Sequence, residues 1–137
     1  MRVVSACLAG ICCRYDGKNS SSEKVIEMIR RGEAIPVCPE QLGGLPTPRE
    51  PAELKDGKVI TQSGRDITAF FEQGALEAVK IVELVRAKEV ILKARSPSCG
   101  SGNVYDGSFS GKLVVGDGIF AALLKKKGIK LFSEEDI

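Results

Sequence analysis

The sequence predicts a small doubly wound α/β domain with a mostly parallel sheet over residues 1–137. Short apolar runs bounded by turn residues alternate with longer stretches of helical period. The segments between successive runs are long enough for right-handed βαβ crossovers, the signature of a Rossmann-like arrangement. Three of the runs also end just before a cysteine, namely Cys7, Cys38 and Cys99.

The first strand is expected over roughly Val3–Ala6, and a loop with glycine and serine follows to about Ser21. Serines 20–22 supply caps for a helix over Glu23–Arg31, whose Val25, Ile26, Met28 and Ile29 face the sheet. Gly32 ends that helix and Ala34–Val37 forms the second strand, where Pro36 requires an edge or a short strand. Residues 38–65 read as a long irregular segment broken by Pro39, Gly43, Gly44, Pro46, Pro48 and Pro51, with one extra strand at Lys58–Thr61. A loop of that length in a small domain signals function. Asp66 is expected to cap a helix from Ile67 to about Ala87, with an apolar stripe through Phe70, Phe71, Ala75, Ala78, Val79, Val82 and Val85. The third strand, Val90–Lys93, opens into Ser96-Pro97-Ser98-Cys99-Gly100-Ser101-Gly102. A hairpin-like excursion runs through Tyr105-Asp106-Gly107 to Val115, since Asp-Gly is a tight-turn signal. A last helix over Gly118–Lys127, stopped by Gly128, precedes a final strand at Ile129–Phe132. No linker or repeat divides the chain, so a single domain is expected.

Composition narrows the chemistry. A net charge of +2 is too small for a general nucleic-acid binder, and the one basic run, Lys125-Lys126-Lys127, sits where a helix C-terminus favours cations. No stretch approaches a membrane span and the amino terminus lacks a secretory signal, so the cytoplasm is the expected compartment. There thiols stay reduced, and five cysteines cannot all pair in any case. Histidine is absent, which removes Ser-His-Asp and Cys-His machinery and mixed Cys-His zinc sites. Acid–base work then falls to carboxylates, lysines, tyrosines, thiols or water. A soft-metal site must be mainly thiolate, which suits iron–sulfur clusters, zinc or copper(I).

In open α/β sheets ligands bind outside the carboxyl ends of the strands. Cys7, Cys38 and Cys99 are placed for that edge, and their spacings match no zinc ribbon. Three thiolates holding a cubane would leave one iron without a protein ligand, and an open position marks a metal that handles substrate. Burial of three small residues near strand ends is the competing structural reading.

Ser5-Ala6-Cys7-Leu8-Ala9-Gly10, Cys13-Arg14-Tyr15-Asp16-Gly17, Val37-Cys38-Pro39-Glu40, Gly44-Leu45-Pro46-Thr47-Pro48-Arg49 and Ser96-Pro97-Ser98-Cys99-Gly100 occur in that order. Together they resemble, nearly end to end, the uncharacterised-domain family that contains the bacterial thiouracil desulfurases. The resemblance implies a [4Fe–4S] cluster on Cys7, Cys38 and Cys99, and non-redox desulfuration of a thiolated small molecule such as a thiouracil-like base. Glu40 is then the candidate general acid/base, and Ser101 a candidate proton relay or substrate contact. Ser98 and the Gly100 amide are candidates for orienting substrate oxygens or cluster sulfides. Cys12 and Cys13 are assigned auxiliary or structural roles, and Arg49 either recognises an anionic or carbonyl-bearing substrate or bridges to a loop carboxylate, the second reading being preferred. Two rivals stand beside this reading. One is a zinc-holding module that docks a protein or RNA. The other is a thiol redox enzyme, disfavoured by the lack of a Cys-x-x-Cys pair.

Overall fold

A computed structural model describes residues 1–137. Its centre is a four-stranded parallel sheet built from β1 (Arg2–Ser5), β2 (Ala34–Val37), β5 (Glu89–Leu92) and β8 (Lys130–Ser133), in the order β2-β1-β5-β8. Two antiparallel hairpins stand outside it: β3 (Ala52–Lys55) with β4 (Lys58–Thr61), and β6 (Asn103–Tyr105) with β7 (Leu113–Val115).

The period-2 alternation of the strands sorts side chains to two faces. On one face Val3, Val90 and Leu92 pack with Ala75, Ala78, Val79 and Val82 of α3 (Thr68–Leu84) and with Phe120, Ala121 and Leu124 of α4 (Ile119–Lys126). On the other, Val4 and Ile91 pack with Val25 of α1 (Glu23–Arg30), helped by Met28 and Ile29. Helices thus cover both faces, as the doubly wound pattern requires. Strand order reverses between β1 and β5, because the chain first steps to β2 and then returns across β1 to build the other half. That reversal opens a crevice at the carboxyl ends of β1 and β5.

Local chemistry explains the boundaries. Ser22 caps α1, its hydroxyl accepting from Val25 N–H at 3.5 Å. Pro36 lies in β2, an outer strand, where its missing N–H is tolerated. Asp66, the expected cap, lies one position ahead of the observed N-cap: Ile67 caps α3, while Asp66 Oδ1 accepts from the Thr68 amide and hydroxyl at 2.9 and 2.6 Å. The same helix stops at Leu84, short of the expected Ala87, because Arg86 turns left-handed at φ 54°.

The segment 38–65 departs most from expectation. It contains a one-turn helix, α2 (Pro39–Leu42), and a complete hairpin rather than a single strand. Pro39 at the first helical position starts α2. Asp56-Gly57, with φ of 51° and 77°, makes the two-residue turn between β3 and β4. α2 lies directly against α3 through two glycines. A Cβ on Gly74 would collide with the Pro39 carbonyl, and one on Gly43 with the Phe70 carbonyl.

Candidate metal centre

The carboxyl end of β1 runs into a 3-10 turn, Ala6–Ala9, that carries Cys7 and ends at Gly10 in the left-handed conformation. The turn is held to the following loop by Ser20 N–H on the Cys7 carbonyl (2.9 Å) and Ser22 N–H on the Leu8 carbonyl (2.8 Å). Cys38 leaves β2 as the N-cap of α2. Cys99 sits in a tight loop after β5: Ser96 Oγ accepts from the amides of Ser98 (3.1 Å) and Cys99 (3.0 Å), and Ser96 O accepts from Gly100 N–H at 2.8 Å. The first amides of α4 close on the same loop, Ile119 N–H on Pro97 O and Phe120 N–H on Ser98 O, both at 2.9 Å. A buried hydroxyl joins two of the strand ends, Ser5 Oγ accepting from Lys93 N–H at 2.9 Å.

These loops surround a cavity of about 330 Å³ at the strand-order reversal, between the sheet edge and the two hairpins. Cys7, Cys13, Cys38 and Cys99 all line it, together with Glu40 and Arg49. The three remote cysteines expected to converge therefore do so. Cys13, assigned an auxiliary place from sequence, is buried in the same cavity, and its carbonyl faces the Cys38 sulfur at 3.9 Å. Cys12 is exposed and lies outside the cavity, where Asn19 Nδ2 approaches its sulfur at 3.5 Å.

Mutual contact and burial make Cys13, Cys38 and Cys99 hold their protons. Hydrogen bonding with Cys13, then burial, then the charge of Glu40 push the Cys38 thiol far above its ordinary value. For Cys13 the contact with Cys38 favours ionisation, but the contact with Cys7 and burial outweigh it and lift the thiol to about 11. Burial lifts Cys99 to about 12, against a hydrogen bond from Ser5. Such a group of thiols ionises together only beside a strongly cationic centre. No three cysteine or carboxylate side chains form the compact donor set of a single metal ion. A cluster differs, because each of its cysteine ligands binds a separate iron and the sulfurs stand farther apart. The donor chemistry, several thiols around one cavity in a chain without histidine, fits an iron–sulfur cluster. Ser98 supplies a further polar mark beside it: its hydroxyl is fully buried and has no hydrogen-bond partner.

Glu40 projects from α2 into the cavity wall, with its carboxylate paired to Arg49 at 3.1 Å. Burial raises its pKa above the usual carboxylate range, and the Arg49 charge and hydrogen bond only partly offset this. The other expected contacts fall differently. Ser101 is exposed and borders a separate depression beside β8, away from the thiols. Ser98 lies beneath the surface of the cavity and not on its wall. The Gly100 amide is already spent on Ser96 O, and a Cβ at Gly100 would stand 2.7 Å from that oxygen, so this glycine serves the turn. Both tyrosines of the chain, Tyr15 and Tyr105, border the cavity, which the sequence reading did not anticipate. Each belongs to a Tyr-Asp-Gly element, and that shared motif was the available signal.

The model of the 2-thiouracil desulfurase family matches residues 3–136. An uncharacterised protein of Bacillus subtilis (strain 168), YbbK, is 44% identical over 147 residues, an alignment that covers 100% of this chain and 97% of that protein. The solved structure of a [4Fe–4S]-dependent thiouracil desulfidase, TudS, superposes with a TM-score of 0.93 at 44% identity, covering 98% of this chain and 91% of that one. With the family model spanning nearly every residue and a relative matched along its whole length, the chain belongs to the 2-thiouracil desulfurase family.

Proposed function

We propose that this protein is a [4Fe–4S]-dependent enzyme that desulfurates a thiolated small molecule, a thiouracil-like base, without net redox change. The single observation that carries the reading is that Cys7, Cys38 and Cys99 meet Glu40 in one cavity at the strand-order reversal. Family membership and the close likeness to a solved thiouracil desulfidase support it.

Cys7, Cys38 and Cys99 would hold the cluster. When bound, it supplies a soft Lewis-acidic iron free of protein ligands, suited to a sulfur leaving group. The remaining work belongs to the chain. The overall change replaces C=S by C=O, consuming water and releasing hydrogen sulfide, so two protons must move. Glu40 is the one carboxylate on the cavity wall whose pKa burial raises, and its role is to take a proton from the attacking water and return it to the departing sulfur. Cluster and substrate would share one cavity of about 330 Å³, which leaves room only for a small substrate. Tyr15, Tyr105 and Phe71 give the wall apolar faces for a planar ring. No helix is long and apolar enough to cross a membrane.

Anaerobic reconstitution with iron and sulfide, followed by sulfide release from a panel of thiopyrimidines, tests the proposal. The expected outcome is four irons per chain and stoichiometric sulfide from at least one thiouracil. A Cys99→Ser variant is expected to lose the cluster. Retention of full iron content by that variant, or a stable zinc site in aerobically purified protein, would overturn the assignment.

A further inference from the structure

Arg49 is the residue on which the separate parts of the site meet. Its side chain is 7% exposed. Nε donates to Glu40 Oε1 at 3.1 Å, Nη1 to Pro46 O at 3.1 Å and Thr47 Oγ1 at 3.0 Å, and Nη2 to the Cys13 carbonyl at 2.9 Å. Its own amide donates to Tyr15 O at 2.8 Å. These partners lie on three segments: α2, the turn that follows it, and the loop after β1.

A guanidinium has five N–H groups in a fixed fork, and four contacts here are internal. Arg49 is therefore committed to the protein and not presented to a substrate. Glu40 needs such a partner. It stands on a one-turn helix, and its flexible side chain would otherwise sample several rotamers. From this geometry we propose that Arg49 is the positioning residue of the desulfuration: it aims the Glu40 carboxylate at the attacking water, and its own protons stay in place throughout. The inference rests on the proposed function, in which Glu40 carries the proton. Lysine keeps the charge but cannot span four acceptors with one compact ammonium.

The test uses the cluster-loaded protein and four forms: wild type, Arg49→Lys, Glu40→Gln and the double variant. Iron content, affinity for uracil by equilibrium dialysis, kcat and KM are measured for each. Arg49→Lys is expected to keep its iron and its uracil affinity, to hold KM within about 2-fold, and to lose about 10- to 100-fold in kcat through misdirection of the carboxylate. In the Glu40→Gln background the same substitution is expected to change kcat by less than about 2-fold, because the two residues act as one unit. An equal loss in both backgrounds, or a weakened uracil affinity with kcat unchanged, overturns the inference. If Arg49→Lys fails to retain iron, Thr47→Val removes one anchor of the fork and leaves the charge in place. It should lower kcat in the wild type alone, and an equal loss in both backgrounds overturns the inference. Wild-type kcat in Glu40→Gln would instead overturn the proton-carrier reading of Glu40 itself, a failure visible before Arg49 is touched.

Discussion

Two acidic side chains do opposite work at the site's margin. Glu40 is buried with one cation and pushed upward, which suits proton exchange with water. Its replacement by glutamine keeps size and hydrogen bonding but removes the exchangeable charge, and kcat should fall about 10²- to 10⁴-fold with iron content unchanged. Steady-state sulfide release on matched, iron-quantified samples checks this. Glu134 instead titrates below its ordinary 4.5: burial pulls it up, but Lys93 and the Ala94 amide, both at 2.8 Å, pull it down and prevail. Its contribution to stability is therefore complete above that ordinary value and is lost as pH falls through the lower folded value. Glu134→Gln should flatten the acid limb of the stability curve as pH falls below the ordinary value of 4.5, as followed by urea unfolding at each pH. What the sequence made legible at this scale follows from chemistry. Cysteines after strands, with no histidine present, have few roles, so Cys7, Cys38 and Cys99 stand out before any coordinates, whereas Glu40 is singled out by its place two residues after Cys38 and by the family resemblance. Ser101, Ser98 and Gly100 were placed by proximity in sequence alone, and a tight loop sends neighbouring residues in different directions. The grip of Arg49 on the Cys13 carbonyl joins positions 36 apart, and no local pattern encodes it.

At the scale of elements, periodicity located the helices and the parallel strands, because their burial repeats every few residues. It missed α2 and β3, in which Pro39 alone is buried, so neither carries the apolar run that marks the parallel strands. The packing of α2 on α3 also leaves no periodic mark, since it depends on the absence of side chains at Gly43 and Gly74. Gly74 occupies a mid-helix position where alanine is intrinsically favoured by about 1 kcal/mol. The collision with Pro39 outweighs that gain, and Gly74→Ala should destabilise the protein by about 1–3 kcal/mol. Chemical denaturation gives the number. Because α2 carries Glu40 and is capped by Cys38, the same variant should also load iron less completely than wild type. A quantitative iron assay after reconstitution reads that second effect.

For the molecule as a whole, Cys7, Cys38 and Cys99 reach the cavity from three chain segments far apart in sequence, so a cluster held by all three would tie together β1, β2 and the loop after β5. A ligand bound only by the folded state stabilises it by mass action, about 3–4 kcal/mol at a few hundred times its dissociation constant. For a chain of 137 residues that corresponds to a rise in Tm of about 10 °C on loading. Calorimetry of the cluster-free and reconstituted forms under argon should show it, and equal Tm values would contradict the shared-ligand arrangement.

The two hairpins have a separate consequence. They are not paired into the central sheet, and they reach each other through Glu53, whose carboxylate accepts from the amides of Gly107 and Phe109 at 3.0 and 3.1 Å. Cys7, Cys38, Cys99 and Glu40 line the chamber from the sheet edge and α2, whereas the ribbons add Ala52, Glu53 and Tyr105 to its wall. Exchanging ribbon sequences between relatives is thus a route to new heterocycle preferences that leaves the inorganic chemistry intact.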